Sequence, residues 1–353
     1  MPGAFTPFNC NCMFFRLTAL SIQEMGQRSN QEDSLFPPYA QDAQEGSLYI
    51  LCDGMGGHAA GEVASQTVCE AMPRYVAGHA RADGYFGQAD FDAALDAAYD
   101  ALDAKDTDDE KKMGTTLTFV KFHAGGCFTA HIGDSRIYHI RPSEHRILHV
   151  TRDHSLVNDL VKLGELTPEE AKTSRQKNII TRAVQPHQER RVKADCLNIT
   201  DLRAGDYFYL CSDGMLEQSE DEEILNILSL PRPDADKVGI LRGATKDNRD
   251  NHSAYLVRIV AVSDRPIEED PDFPAEPEPA PAPAPAPKRG KAGLWILILL
   301  ALAAAAVAAI PESREYVKGL FAPKKVEAPV QHPVPGQDAD SLAVERSDSL
   351  SQI

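Results

Sequence analysis

Basic residues are scarce in this sequence relative to acidic ones. The 353-residue chain has 36 Lys and Arg against 53 Asp and Glu, which gives a formal net charge of −17. A face that binds nucleic acid needs clustered basic side chains, so the deficit argues against a nucleic-acid partner. The simplest interpretation of the acidic excess is a soluble surface whose copies repel one another.

The cysteine spacing of disulfide scaffolds and zinc knuckles is also missing. The seven cysteines are odd in number, no two form a Cys-x-x-Cys pair, and Cys10 and Cys12 flank a single residue. We therefore expect free thiols in a reducing compartment. The N-terminus has no basic stretch before an apolar core, so we expect no secretory signal peptide.

Changes in composition divide the chain into four predicted segments. Residues up to about 263 have a mixed globular composition, whereas residues 264–291 are acidic and then Pro-Ala-rich, which predicts an extended linker. Residues 292–310 contain no polar side chain and, as a helix, are long enough to span a bilayer. A buried or Ala-rich soluble helix is the alternative, but it would need a polar face. Residues 311–353 are polar and are predicted to be a disordered tail.

Short β-branched and aromatic segments, bounded by Gly, Asp or Pro, predict strands in the first 263 residues. A turn at 123–126 joins two of them into a predicted hairpin. Two helical periodicities predict amphipathic helices, one with Val68 and Met72 on its apolar face and one with Phe91 and Leu95. Strands grouped in hairpins, with helices in separate blocks, favour antiparallel sheets with helices packed outside. The predicted strands cover 47–52, 115–122, 127–132, 136–140, 206–211 and 254–262.

Several predicted strands end beside an aspartate. Asp53, Asp134 and Asp213 each follow a strand, and Asp250 precedes the last one. Turn chemistry explains any one of them, but strand ends on one side of a sheet converge, so these carboxylates could form one cluster. A carboxylate cluster needs cations to offset its repulsion. Oxygen ligands without His or Cys at ligand spacing favour Mg²⁺ or Mn²⁺.

A glycine-rich turn and an arginine accompany these acids. Gly54 comes directly after the first aspartate, and Gly56 and Gly57 precede a helix predicted to begin near Gly61. Glycine at these positions would let backbone or substrate approach a metal closely. Arg28 is a better candidate than the glycine-rich turn for binding a phosphate, because a guanidinium donates two parallel hydrogen bonds.

Eight separated motifs occur in a fixed order along the chain: GQRSNQED, LCDGMGGHAAGE, GTTL, HIGDSRIY, TRDHSLV, NIITRAV, AGDYFYLCSDGM and DNHS. In this order they resemble the bacterial members of the metal-dependent serine/threonine protein phosphatases of type 2C. The resemblance runs from about residue 13 to 262. It implies an α+β domain over residues 13–263, a four-layer α-β-β-α sandwich of two antiparallel sheets with the active site in a cleft at one end.

The resemblance also implies a metal site. Asp53 corresponds to the ligand that bridges two metal ions, and Gly54 to a ligand through its carbonyl oxygen. Asp213 and Asp250 correspond to the acids that complete the site. The implied cofactors are two Mn²⁺ or Mg²⁺ ions.

Further positions match the family's pattern in the same way. Glu32 and Asp33 correspond to direct or water-mediated ligands, and Asp134, with Asp213, to the holder of a third, weaker metal. Arg28 corresponds to the phosphate-binding arginine. The segment 153–180 corresponds to the mobile flap beside the cleft.

The last acidic motif departs from the family's pattern. The family has Gly-Gly before its final Asp-Asn, where this chain has Asn248 and Arg249. Asp247 begins a competing Asp-Asn pair. We prefer Asp250, because Ser253 and the strand follow it at the family's spacing.

Two other positions also differ. Gln185 stands where the family has a glycine after its ITRAV-like motif, which concerns loop shape more than chemistry. Met55 occupies the position at which many eukaryotic relatives have a candidate general-acid histidine, and His58 comes later. His58 could protonate the leaving group or simply occupy the start of a helix, and the sequence leaves both interpretations open.

Taken with the acidic strand ends, the resemblance implies hydrolysis of phosphoserine and phosphothreonine in proteins by a metal-activated water. The implied partners are phosphorylated proteins and a cognate Ser/Thr kinase. The predicted helix at residues 292–310 makes the membrane a further partner. The basic residues that flank 292–310 do not decide the orientation of the predicted span in the membrane. We expect the phosphatase domain in the cytoplasm because of its free thiols and its phosphoprotein substrates. Two alternatives stay open: an inactive phosphoprotein-binding membrane scaffold, and a phosphatase of a small phosphorylated metabolite.

Overall fold

Two antiparallel β-sheets form the centre of the fold. The computed structural model describes residues 12–40, 42, 44–56, 60–106 and 113–265, which all lie in one folding unit, residues 1–274. The predicted span and tail, and the linker beyond Arg265, lie outside the described residues. Within the described ranges, no helix combines the length and the apolar character needed to cross a membrane.

Eleven strands make up the two sheets within the described residues. One sheet has the order β1-β11-β10-β7-β8, and the other has the order β2-β3-β5-β6-β9 with β4 paired to β3. Every one of these pairs is antiparallel. The strands are β1 (Phe14–Glu24), β2 (Asp33–Phe36), β3 (Leu48–Met55), β4 (Gly114–Thr115), β5 (Leu117–His123), β6 (Gly126–Ile132), β7 (Arg136–Arg141), β8 (Arg146–Val150), β9 (Asp195–Ile199), β10 (Tyr207–Cys211) and β11 (His252–Ser263).

Helices cover the outer faces of both sheets. They are α1 (Ala60–Gly78), α2 (Gln88–Asp103), α3 (Leu156–Leu163), α4 (Pro168–Thr173), α5 (Asp221–Leu228) and α6 (Asp234–Thr245), with short 3₁₀ turns at Pro142–Glu144 and Asp213–Leu216. The predicted apolar face of α2 is confirmed, because every member of it is buried: Phe91, Ala94, Leu95, Ala98, Tyr99 and Leu102.

Three apolar cores separate four layers. Strand β3 shows how they arise, because its side chains alternate between the two faces of the sheet. Leu48 and Ile50 pack with α1 and α2 in the first core, whereas Tyr49 and Leu51 pack in the second core, between the two sheets. The third core joins the other sheet to α5 and α6, and Tyr209 lies in it. The layers are therefore α-β-β-α, as the resemblance implied.

The strand predictions are confirmed with small changes at the ends. The hairpin predicted at 123–126 is present, since His123 pairs with Gly126 in the β5–β6 register. Strands β1, β2, β8 and β9 are additional to the predicted set. The thiol prediction holds for Cys52, Cys69, Cys127, Cys196 and Cys211, which are all unpaired.

Candidate active site

The acidic strand ends converge on one place. Asp53 lies in β3 directly opposite Asp33, its register partner on β2. The charges of Asp33, Asp213, Asp134 and Asp250 all act on the carboxyl of Asp53. The prediction that these acids form one cluster is confirmed, and Asp53 is at its centre.

Burial and mutual repulsion make this cluster hard to ionise. The pKa of Asp33 is raised to about 7, mainly by burial and also by the charges of Asp213 and Asp250, against hydrogen bonds that lower it. Burial also raises the pKa of Asp134 to about 7 and that of Asp213 to about 6. The pKa of Asp53 is raised in the same way. Without a counter-ion, neighbouring carboxylates in a site of this kind hold on to protons.

Two carboxylate oxygens in the cluster have no hydrogen-bond partner among the described residues. They are Oδ1 of Asp33 and Oδ1 of Asp134, both buried. The other oxygen of Asp33, Oδ2, accepts a hydrogen bond of 2.9 Å from Ser212 Oγ. Buried polar atoms normally find partners, and hard divalent cations prefer oxygen ligands. The residues of the cluster therefore fit the Mg²⁺ or Mn²⁺ that the sequence predicted.

Glu32 lies at the edge of the cluster. Its side-chain Oε1 accepts a hydrogen bond of 3.1 Å from Asn30 Nδ2, and its negative charge acts on Arg28. Its backbone is held from two sides: the carbonyl accepts from Gly54 N at 3.1 Å, and the N–H donates to Asn251 Oδ1 at 2.8 Å. The structure thus brings Glu32 close to the predicted ligands through its backbone.

Gly54 meets the start of helix α1 at very short range. A Cβ at this position would overlap the carbonyl oxygens of Gly61 and Glu32. This close approach explains why a strand that carries a central carboxylate continues into glycine. The helix predicted near Gly61 begins at Ala60. His58 and Gly57 lie outside the described residues.

Arg28 reaches the same cluster from the loop before β2. Its Nη2 donates to Asp250 Oδ2 at 2.6 Å, and 53% of its side chain is exposed. The hydrogen bond to Asp250 raises the pKa of Arg28. A half-exposed guanidinium at the rim of an acidic cluster has N–H groups left for an incoming anion.

The preference for Asp250 over Asp247 is consistent with where each side chain lies. Asp250 joins the cluster, whereas the Asp247 side chain is 80% exposed and pairs loosely with Lys246 at 4.0 Å. Asn248, which replaces a glycine of the family pattern, is buried, and its Nδ2 donates to the Gly214 carbonyl at 2.6 Å. This departure thus braces the turn that begins at Asp213.

Two polar links between the acidic loops were not predicted from the sequence. Thr116 Oγ1 accepts from the N–H of Asp53 at 3.0 Å and contacts Ser135 Oγ at 2.7 Å, which ties the Asp53 strand to the turn after Asp134. Asn251 Nδ2 donates to the carbonyls of Met25 and Asn30. Thr116 and Asn251 belong to the motifs GTTL and DNHS, but their hydrogen-bond partners are distant in sequence and could not be predicted.

The segment 153–180 begins with contacts to the turn that carries Asp134. The His154 N–H donates to the Gly133 carbonyl at 2.8 Å, and Asp153 pairs with Arg136 at 2.7 Å. Helices α3 and α4 follow within the segment. The mobility implied for this segment stays a prediction.

A second group of side chains that could bind a metal includes His154 of this segment. One atom each from His131, His154 and Asp195 lies within 4.8 Å of the others. These groups already have partners, because His131 Nε2 contacts the Arg152 carbonyl at 2.9 Å and the Arg182 guanidinium lies 2.8 Å from Asp195. The Arg182 guanidinium already pairs with the Asp195 carboxylate. We therefore interpret the three residues as a structural cluster.

Comparisons with known proteins agree with the geometry. A family model described as Protein phosphatase 2C matches residues 24–233, more than half of the chain. The Mycobacterium tuberculosis serine/threonine protein phosphatase PstP is 39% identical over 208 residues, which are 58% of this chain and 37% of PstP, so the match spans little more than a third of that relative. The Streptococcus pneumoniae protein phosphatase PhpP is 35% identical over 226 residues, 62% of this chain and 87% of PhpP.

Solved structures match the same region. The crystal structure of the M. tuberculosis phosphatase PstP/Ppp has a TM-score of 0.58 and 36% identity, and the match covers 69% of this chain and 99% of that one. The catalytic domain of PstP in complex with two manganese ions has a TM-score of 0.54 and 34% identity over 70% of this chain and all of that one. With an acidic cluster at the matched motifs, this chain belongs to the protein phosphatase 2C family.

Proposed function

We propose that the protein hydrolyses phosphoserine and phosphothreonine in other proteins, with two Mn²⁺ or Mg²⁺ ions as cofactors. The observation that carries the proposal is the convergence of five buried or half-buried aspartates with unpartnered oxygens on Asp33 and Asp134. Family membership and the manganese complex of a 34% identical relative support it.

The residues that would hold the ions are those of the acidic cluster. Asp53 would be shared between the two ions, with Gly54, Asp213 and Asp250 completing the set and Glu32, Asp33 and Asp134 contributing directly or through water. Two bound divalent cations would lower the pKa of a water molecule between them and offset charge on the transferred phosphoryl group.

The chain's own part begins with substrate binding at Arg28. Asp250 holds one guanidinium nitrogen of Arg28, so the planar group is oriented before substrate arrives, and its other N–H groups donate to phosphate oxygens. These hydrogen bonds offset negative charge on the equatorial oxygens as the phosphorus is attacked. Pre-orientation by a carboxylate reduces the entropy lost when the phosphate binds.

A covalent cysteine mechanism does not suit the described thiols. Burial raises the pKa of the Cys52, Cys127 and Cys211 thiols far above their ordinary value. A thiol is nucleophilic as the thiolate, so these three side chains stay protonated and unreactive near neutral pH. These three thiols therefore do not suit a nucleophile, in keeping with attack by a metal-activated water.

The test of this proposal compares substrate classes. The full chain, saturated with Mn²⁺, is given a phosphothreonine peptide, the matched phosphotyrosine peptide and free phosphoserine, and phosphate release is measured. We expect the phosphothreonine peptide to be hydrolysed fastest. Faster hydrolysis of free phosphoserine would favour a metabolite phosphatase, and binding of the peptide without hydrolysis would favour a scaffold.

We also propose that residues 292–310 anchor the enzyme in the cell membrane, with the phosphatase domain in the cytoplasm opposing a Ser/Thr kinase. The uninterrupted apolar composition of 292–310 supports the anchor, and the reduced thiols support the compartment. The full chain should remain with membranes during carbonate extraction, and protease added to intact cells should spare the domain. Release by salt alone would refute the anchor, and digestion of the domain would refute the orientation.

A further inference from the structure

A cavity of about 720 Å³ lies far from the acidic cluster. Its walls come from the end of α1, the start of α2 and the beginning of β3, and they are mainly apolar. The apolar residues of the lining include Phe36, Leu48, Pro73, Val76 and Phe86. Pockets that bind small molecules have volumes of roughly 300 to 1,000 Å³ and apolar walls with a few placed polar groups.

The cavity and the acidic cluster lie at opposite ends of helix α1 and of strand β3. Gly61, at the start of α1, contacts the cluster through Gly54, whereas residues 73–77 at the end of α1 line the cavity. At about 1.5 Å of rise per residue, those twelve to sixteen positions correspond to about 18 to 24 Å along the helix. A small molecule in the cavity would therefore leave the phosphate site at Arg28 open.

Lys121 is the polar group of the cavity that could donate hydrogen bonds to a ligand. It projects from β5 at the mouth, and its Nζ donates to Ser47 Oγ at 2.7 Å. No carboxylate pairs with Lys121 among the described residues. The side chain is half-buried, and burial lowers the pKa of Lys121. Two of its three N–H groups remain for a ligand.

Other charged groups around the cavity are already engaged or point outward. Arg81 pairs with Asp83 at 2.6 Å, and the Asp90 carboxylate caps α2 by accepting from Gly87 N at 2.9 Å. Glu45 is exposed at the rim. Of the lysine and arginine side chains that line the cavity, Arg81 is paired, so Lys121 is the one without a carboxylate partner among the described residues.

We propose that this cavity is a binding site for a small organic acid, whose apolar or aromatic body lies against the walls and whose carboxylate accepts hydrogen bonds from Lys121. The lining also includes the aromatic side chains of Tyr75 and Tyr85, which suit an apolar or aromatic ligand body. His79 already stacks on Tyr75 with ring centroids 3.9 Å apart. The site is independent of the proposed catalytic activity.

The test measures binding of 2-naphthoate, with the neutral 2-naphthalenemethanol as the matched probe, to the full chain by calorimetry in the presence of chelator. The wild-type chain should bind the acid about tenfold more tightly than the alcohol, the difference expected from one charge-assisted contact at a half-buried site. Lys121→Met should abolish this preference while retaining weak binding of both probes. Lys162→Met, on an exposed face of α3, should behave as wild type.

A second variant tests the walls rather than the charge. Ala93 lines the cavity from α2, and Ala93→Trp should fill it and weaken binding of both probes while Lys121 is retained. Thermal unfolding checks that each variant is folded, and if Ala93→Trp does not fold, Lys121→Met alone decides. Equal affinity of the wild-type chain for acid and alcohol, absence of saturable acid binding, or an unchanged preference in Lys121→Met would each overturn the proposal.

Discussion

Replacement of Asp33 by Asn should stabilise the metal-free protein at pH 8. Burial raises the pKa of Asp33 from its ordinary 3.8 to about 7, so ionising it in the folded state costs free energy that the unfolded chain does not lose. Each pKa unit corresponds to about 1.4 kcal/mol, which sets an upper limit of about 4 kcal/mol. Because neighbouring acids share the same protons, we expect a gain of about 1 to 3 kcal/mol in the free energy of unfolding.

The pH dependence of this gain has a defined sign. Since the folded-state pKa is raised, the stabilisation from protonated Asp33 is complete below about pH 4 and is lost as the pH rises through about 7. An asparagine stays neutral throughout. The difference between variant and wild type, measured by urea unfolding in chelator, should therefore be smallest near pH 4 and largest above pH 7.

A second buried aspartate provides the control. Burial raises the pKa of Asp206, but hydrogen bonds from Arg141 and His139 outweigh it and lower that pKa to about 2. Asp206→Asn should therefore destabilise the protein at pH 8, by about 3 to 5 kcal/mol for a broken buried pair. A destabilised Asp33→Asn variant at pH 8, or a gain that does not change with pH, would refute the reasoning about the cluster.

Three further predictions concern individual contacts. Arg28→Ala should raise the KM for a phosphopeptide about tenfold, the low end for a charge-assisted contact because the side chain is half exposed, and unchanged KM and kcat would remove it from the site. Asp250→Asn should weaken Mn²⁺ binding in a calorimetric titration while Asp247→Asn leaves it intact, and the reverse result would transfer the role. Gly54→Ala should lower the free energy of unfolding by about 1 to 3 kcal/mol, because its methyl group would overlap Gly61; wild-type stability in urea would contradict the close approach.

The acidic cluster could be predicted from the sequence because strand ends carry a readable signal. Apolar runs lead up to Asp53 and Asp213, and the face-to-face packing of the two sheets, to which β3 and β10 separately belong, then brings these acids together. The continuous apolar run at the start of β3 is consistent with two buried faces, and cores do lie on either side of Tyr49 and Ile50. Local patterns thus identify the elements, although β3 continues beyond its predicted end at residue 52 to Met55.

Partners that are distant in the chain could not be predicted in this way. Strand β1 pairs with β11, so Phe14 lies opposite Ser263, and no local period encodes that choice. The same holds for Thr116, between β4 and β5, whose hydroxyl links Asp53 to Ser135 in the turn before β7. A threonine hydroxyl can donate and accept hydrogen bonds in many settings, so the role of Thr116 becomes visible only when the neighbouring segments are in place.

The cavity at Lys121 shows the same limit. A lysine in an alternating strand is normally a solvated surface residue, and its apolar surroundings come from α1 and α2, which are remote in sequence from β5. Burial of the ammonium follows from the packing of those helices. Such a site can be recognised from the structure but not from the spacing of residues.

The most direct test of the metal-site account is the initial rate of phosphate release from a phosphothreonine peptide, measured against Mn²⁺ concentration for the wild-type chain and Asp53→Asn. We predict no rate in excess chelator, saturable activation of the wild type by Mn²⁺, and a loss of about a hundredfold or more in the variant, whose metal-free form melts no lower than that of the wild type. Wild-type turnover by folded Asp53→Asn, or full activity in excess chelator, would contradict the account.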